Sequence, residues 1–146
     1  MHPIKIAESF SGVPYKLGSD SINVGVDCFS YILLYMENNG VKVPNEWRGF
    51  NRDKCGDQYK ELFIKDPDRA KKLMVEFVSE FTDDVPINDA MPGDVLLLEL
   101  RGCKGRNFLG VMTGGGNFYS VIESQGVMMT SLKPYVIKKV FRCHKQ

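Results

Sequence analysis

Residues 12–36 read GVPYKLGSDSINVGVDCFSYILLYM, and this stretch contains the loop-to-helix transition on which the fold depends. Residues 13–26 are rich in Gly, Ser and Asn and predict a loop, whereas apolar residues recur at helical spacing over 29–36. Asp27 suits the N-cap of that helix, so Cys28 falls in its first turn. Unpaired N–H groups and the helix dipole favour a thiolate at this position. The stretch therefore predicts a candidate nucleophile at the start of a helix.

The length and charge of the chain limit the classes of function. Its 146 residues suit a single domain, residues 1–146, around one core. The net charge is +1, from 19 basic and 18 acidic residues, so we expect no nucleic-acid partner. No apolar run approaches the roughly 18 residues of a membrane span, and the opening MHPIKIAESF lacks an apolar signal-peptide core. We expect neither a membrane span nor directed secretion.

The four cysteines do not form a recognisable metal or disulfide pattern. They stand at positions 28, 55, 103 and 143, with no CxxC motif and no nearby Cys/His pair. We therefore expect no metal and no cofactor, and we interpret the thiols as reduced. Cys55, Cys103 and Cys143 are interpreted as small, partly buried apolar residues.

The order of predicted elements indicates an α+β fold. Helices are predicted over 3–10, from 27 to a stop at 38–40, over 55–64 and over 67–79. Residues 41–54 read as irregular. Strands are predicted over 95–98, 107–113, 117–123, 126–131 and 136–143. Helices followed by a meander of about five strands predict an antiparallel sheet covered by helices. On the last helix, Lys71 and Lys72 are expected on the solvated side.

Several short motifs occur in a fixed order along the chain. They are Gly12, Pro14, Tyr15, Gly18, Asp27 and Cys28, then Pro92-Gly93-Asp94, then Leu109-Gly110-Val111 with glycines 114–116 and Phe118, and finally Gly126-Val127 and the 137–143 strand. In this order and spacing they resemble the NlpC family of cell-wall cysteine peptidases, which are papain-like. The resemblance covers roughly residues 3–40 and 91–143, and it implies a papain-like, NlpC-type fold.

The resemblance implies three catalytic positions, of which one is kept. In the family a Cys attacks the peptide carbonyl, a His takes the thiol proton, and a third polar residue orients the imidazole. Cys28 matches the nucleophile, but Phe108 stands at the His position and Ser120 at the third position. A shift of one residue offers Asn107, an amide that cannot act as a base. Cys28 is therefore expected to be a vestigial nucleophile.

Two further residues are expected to line the site. Tyr15 lies, by resemblance, near the nucleophile and helps to shape the site, with packing against the helix as the alternative. Asp27 reads as an N-cap rather than as a catalytic group. The histidines, His2 and His144, lie close to the two ends of the sequence and match no motif, so both are interpreted as solvated imidazoles.

The layout is most similar to the phage-tail branch of the family, which includes peptidases of gene transfer agents. This predicts a structural, inactive pseudo-peptidase of the tail tip or hub, with other tail-tip and hub proteins and peptidoglycan as partners. It would be made in the host bacterial cytoplasm and carried in the virion. One alternative is an active cysteine endopeptidase that cleaves peptidoglycan stem peptides during cell entry, with a base supplied by Glu123, Glu99, Asp94 or His144. Another is a module that binds cell-wall peptides without cutting them.

Overall fold

The computed structural model describes residues 2–143. Its α-helices are α1 (Pro3–Glu8), α2 (Cys28–Asn38), α3 (Cys55–Lys65) and α4 (Pro67–Phe81). Two small hairpins pair β1 (Asp20–Ser21) with β2 (Gly25–Val26) and β3 (Glu46–Trp47) with β4 (Phe50–Asn51). The main sheet contains β5 (Asp83–Val85), β6 (Val95–Leu100), β7 (Asn107–Met112), β8 (Asn117–Ile122), β9 (Gly126–Ser131) and β10 (Tyr135–Arg142). A 3-10 turn spans Ile87–Asp89.

The main sheet confirms the α+β prediction and corrects the order in which its strands pair. Its strands are antiparallel in the order β5-β10-β6-β7-β8-β9. The meander holds for β6 to β9, but β10 returns across the sheet to pair with β6. With β5 included the sheet has six strands, which is consistent with the predicted number of about five. The sixth, β5, is a three-residue edge strand whose two aspartates carry no periodic apolar signal.

Residues on alternate positions of the strands enter two different apolar clusters. Val95, Leu109, Val111, Tyr119, Val127 and Phe141 pack with α1, α2 and α4 on one side of the sheet. Leu96, Leu98, Phe118 and Val140 form the cluster of the other side, against which Phe108 and Tyr135 pack. This is the period-two alternation of a sheet that is buried on both faces.

Helix α2 lies at the centre of the larger cluster. Tyr31 and Tyr35 of this helix are fully buried. The Tyr31 hydroxyl donates to the Ala7 carbonyl at 3.3 Å, and the Tyr35 hydroxyl donates to the Gly93 carbonyl at 2.6 Å. Each phenol therefore joins α2 to a neighbouring segment as well as filling the core.

The segment between α2 and the main sheet is more regular than its composition suggests. The predicted irregular stretch contains the β3–β4 hairpin, whose Trp47 is buried and meets the Phe77 ring edge-on at 5.1 Å. The Trp47 indole N–H donates to the Glu80 carboxylate, so the hairpin is fixed to α4. The prediction for Cys103 is wrong, because this residue is exposed in the β6–β7 loop.

Candidate active site

The start of α2 places Cys28 as the sequence predicts. Asp27 is the N-cap, and its carboxylate accepts the N–H groups of Ser30 at 2.7 Å and of Gly18 at 2.8 Å. Cys28 is the first helical residue and remains partly exposed. Both oxygens of Asp27 are engaged by backbone donors, so this residue serves as a cap that also holds the preceding loop.

The preceding loop brings Tyr15 beside the thiol. Pro14 accepts the N–H of Val26 at 2.8 Å, and Lys16 donates to the Val26 carbonyl at 3.0 Å, so Tyr15 is fixed next to the residue before the cap. Further along the loop, the backbone of Gly18 lies so close to α3 that a Cβ on Gly56 would meet the Gly18 carbonyl at 2.6 Å. The glycine of α3 therefore permits the close contact between loop and helix.

A cleft of about 710 Å³ opens over Cys28. Its lining comes from four regions: Tyr15, Leu17, Asp27 and Cys28 from the loop and α2; Tyr59, Phe63, Lys71 and Met74 from α3 and α4; Val121, Ile122, Glu123 and Ser124 from the end of β8; and Leu100, Arg106, Asn107, Phe108 and Tyr135 from the neighbouring strand ends. The structure thus places Tyr15, Asp27, Cys28 and Phe108 around one cleft.

The surroundings of Cys28 favour the neutral thiol. Burial raises the pKa of Cys28 to about 11, and the negative charge of Asp27 acts in the same direction, whereas Lys71 opposes it. The Cys28 S–H group points at the Leu109 carbonyl, with Sγ and the oxygen 3.7 Å apart. The helix dipole is worth only about 0.3–1 kcal/mol and does not offset burial.

Phe108 and Ser120 occupy the two positions where the resemblance places the base and its orienting partner. Phe108 lines the cleft, and its ring packs on Phe118 and Tyr135 at 5.9 and 5.0 Å. Strand alternation places Ser120 on the Phe118 side of the sheet, but Ser120 is buried and does not line the cleft. Its hydroxyl has no hydrogen-bond partner among the described residues. The alignment of these two positions with the family stays a prediction.

Asn107, the alternative with the register shifted by one residue, also lines the cleft. Its Oδ1 is buried and has no hydrogen-bond partner within residues 2–143. An amide has no useful basicity near neutral pH, so neither register supplies Cys28 with a general base.

His2 and the candidate bases other than Asn107 are distributed over the molecule. His2 caps α1 by accepting the Ile4 N–H at 3.2 Å, and with Asp94 and Cys143 it lines a separate cavity of about 250 Å³ beside Asn39. Asn39 follows the last residue of α2, so this cavity lies about 16 Å along the helix from Cys28. His2 and Asp94 are therefore too far from the thiol to act on it.

Asp94 forms an ion pair with Arg142 at 2.9 Å, so its carboxylate already has a partner. Glu99 accepts the Gly105 N–H at 3.3 Å and does not line the cleft. Glu123 lines the cleft and raises the pKa of Tyr15 by its charge, after the larger effect of burial. His144 lies outside the described residues. Of the three proposed bases that lie within the described residues, Glu123 is the one that the structure brings to the cleft wall.

Lys71 is a cleft residue that the sequence interpretation missed. It was expected on the solvated side of α4, but it is half-buried and lies on the cleft wall with Met74. Residues 71, 74 and 78 share one helical stripe, on which Met74 and Val78 are core residues. This i, i+3, i+7 spacing was the available signal.

Fold and site together define a papain-like cysteine-peptidase scaffold. Residues 12–146 match the NlpC/P60 family, and the chain belongs to this family. No curated protein sequence matches the chain significantly.

Solved structures of three NlpC/P60 domains are similar to the chain, each with a TM-score of 0.55. The NlpC/p60 domain of the peptidoglycan hydrolase SagA is 16% identical, over 95% of this chain and 94% of that one. A protein from Staphylococcus aureus subsp. aureus Mu50, described as similar to a lipoprotein of the NLP/P60 family, is 16% identical. The match covers 98% of this chain and 41% of that one. The P60 domain of an antigen from M. avium subspecies paratuberculosis is 19% identical, and the match covers 99% of this chain and 93% of that one. At these identities the likeness establishes the fold.

Within residues 2–143, no three His, Cys, Asp or Glu side chains are grouped as they would be around a metal ion. Over the same residues, none of the helices combines the length and the apolar character needed to cross a bilayer.

Proposed function

We propose that this chain is a catalytically inactive NlpC/P60 domain that keeps its peptide cleft. The observation that carries the proposal is the state of Cys28, whose pKa burial raises to about 11 in a cleft where the residues described contribute no imidazole. At pH 7 only about one thiol in 10⁴ would be a thiolate. Loss of a catalytic base lowers the rate by a further factor of about 10²–10⁴.

The cleft itself supports a binding role. It retains a volume of about 710 Å³, aromatic walls from Tyr15, Tyr59 and Phe63, and charged side chains. An apolar cleft with a few polar groups is the usual form of a ligand site. One structurally similar domain belongs to a protein named as a peptidoglycan hydrolase. Peptidoglycan peptides, bound and not cut, are therefore the ligands that we propose.

The proposal includes a place in a phage particle. The compact layout of motifs around Gly93, Gly110 and Cys28, similar to the phage-tail branch of the family, supports a structural component of the tail tip or hub. Its partners would be other tail-tip and hub proteins, and it would enter the virion after synthesis in the host bacterial cytoplasm. Immunogold labelling of purified particles should mark the tail tip. Absence of the protein from purified particles would contradict this part of the proposal.

An active cysteine endopeptidase is the second candidate, favoured by Glu123 at the cleft wall. The two functions are separated by incubating the protein with purified peptidoglycan, then measuring both co-sedimentation and newly released amino termini. We expect binding without new termini, because the neutral thiol has no imidazole beside it. Termini that appear with the natural chain and disappear in Cys28→Ala would establish the endopeptidase instead.

Restoration of the missing groups tests whether the site is a degenerate catalytic one. If the alignment with the family is right, Phe108→His combined with Ser120→His should increase the rate of Cys28 alkylation at pH 7, because Phe108 lines the cleft that opens over Cys28. Asn107→His is the matched variant for the shifted register and should change the rate less. The opposite ranking would show that the alignment is wrong by one residue.

A further inference from the structure

The wall that α3 and α4 contribute to the cleft carries a lysine without a counter-ion. Lys71 is half-buried and lines the cleft on the same wall as Phe63 and Met74. Within residues 2–143, no carboxylate forms an ion pair with it. An ammonium group that is partly withdrawn from water is stabilised by an anion, so a bound ligand can supply what the protein does not.

The remaining charges of the cleft are arranged so that they leave Lys71 available. Asp27 is committed to two backbone donors, as described above. Glu123 is exposed and lines the cleft as Lys71 does, but the two side chains form no ion pair within residues 2–143. Arg106 lines the cleft from the β6–β7 loop and likewise has no ion pair among the described residues.

We propose that Lys71 anchors a carboxylate of the bound peptide, so that the cleft selects acidic peptides. Lysine suits this role because its ammonium is a mobile point charge that accepts a carboxylate from several directions. Lys71 belongs to none of the motifs that carry the family resemblance. The inference rests on the proposed binding function and adds the charge class of the ligand and the residue that reads it.

Two fluorescent peptides that differ only by Glu in place of Gln test this selection. Fluorescence anisotropy with the full chain at low salt should give an affinity about fivefold higher for the Glu peptide. In Lys71→Gln that preference should disappear, while the Gln peptide should bind as before. Lys72→Gln, an exposed neighbour outside the cleft, is the matched control and should keep the preference.

A variant that removes a negative charge from the cleft provides a second test. Glu123→Gln removes the exposed carboxylate of the cleft and should leave the Glu peptide bound equally well or more tightly. Equal affinities of the two peptides for the natural chain would overturn the inference, and so would a preference that survives in Lys71→Gln. Absence of saturable binding of both peptides up to about 5 mM would overturn it as well.

Failure of the inference and failure of the proposed function give different results. Peptidoglycan that is bound by the natural chain and by Lys71→Gln alike would leave the binding function intact and remove the role of Lys71. Peptidoglycan that is cleaved would remove the inactive-domain proposal, while the preference for Glu over Gln would still report on Lys71.

Discussion

The two ends of helix α2 differ in how completely their polar groups are satisfied. At the C-terminal end, the Tyr35 hydroxyl donates to the Gly93 carbonyl, and Asp94 pairs with Arg142. At the N-terminal end, Cys28 is a thiol with a raised pKa beside an open cleft, and Asn107 Oδ1 has no partner among the described residues. The unpartnered amide oxygen therefore lies at the end of α2 where the cleft opens, whereas the hydroxyl and carboxylate named at the other end are paired.

The largest effect is expected at the C-terminal end. Gly93 has φ +98°, and a Cβ there would lie 2.7 Å from Pro3 Cβ. Gly93→Ala combines a backbone conformation unfavourable to alanine with a clash against a rigid ring. It should lower the free energy of unfolding by about 3 kcal/mol, measured by urea denaturation. Gly114→Ala, where a Cβ meets nothing within 4 Å, is the control and should change little.

At the N-terminal end the expected effect is on reactivity rather than stability. A rise in the Cys28 pKa from 9.0 to about 11 implies about 100-fold less thiolate at pH 7.5 than an unperturbed thiol has. Alkylation by iodoacetamide, followed by peptide mass spectrometry in a Cys103→Ser background, should show this slow rate at Cys28. The rate should still be rising above pH 10. A plateau below pH 8 would mean that Cys28 is an activated nucleophile.

Loss of a single buried hydrogen bond should have a smaller effect. Tyr35→Phe removes the 2.6 Å bond to the Gly93 carbonyl and should lower the free energy of unfolding by about 1–1.5 kcal/mol. Tyr31→Phe removes the longer bond to Ala7 and serves as the comparison; it should cost less. Equal losses would show that both ends of α2 depend on their phenols to the same extent.

Replacement of the Asn107 amide, whose oxygen has no partner among the described residues, should increase stability instead of lowering it. Asn107→Leu replaces a buried oxygen without a partner by an apolar group of similar size, so the free energy of unfolding should rise by about 0.5–1 kcal/mol. Thermal unfolding at pH 7 measures the change. A clear loss of stability would show that Asn107 has a structural partner, and the contrast between the two ends of α2 would weaken.

The smallest effect concerns the pH dependence of the cap. Burial raises the pKa of Asp27 above its ordinary value, although the N–H groups of Ser30 and Gly18 lower it in part. The folded state therefore holds this proton more tightly, and the contribution of Asp27 to stability falls as pH rises from the unfolded to the folded pKa. The urea midpoint of the natural chain minus that of Asp27→Asn should decrease as the pH rises from 4, and the difference should then become constant. A difference that increases with pH would show that folding lowers the pKa of Asp27 instead of raising it.

Much of the site could be predicted because its signals are local. The N-cap, the first helical turn and the glycine turn before β8 depend on neighbouring residues, and their positions are confirmed. The bounds of α3 and α4 follow from apolar periodicity in the same way. The position of Lys71 could not be predicted with the same ease, because a lysine beside an apolar stripe is solvated or buried according to what packs against that stripe.

The sequence by itself determined that Cys28 begins a helix after a loop and that no histidine occupies positions 107, 108 or 120. Only the tertiary structure decided the rest. The pairing of β10 with β6 joins strands that are far apart in the chain, and no local pattern encodes it. The raised pKa of Cys28 arises from burial under segments distant in sequence, because desolvation depends on everything that surrounds the thiol. The cleft likewise exists only where α3, α4 and the strand ends meet above it.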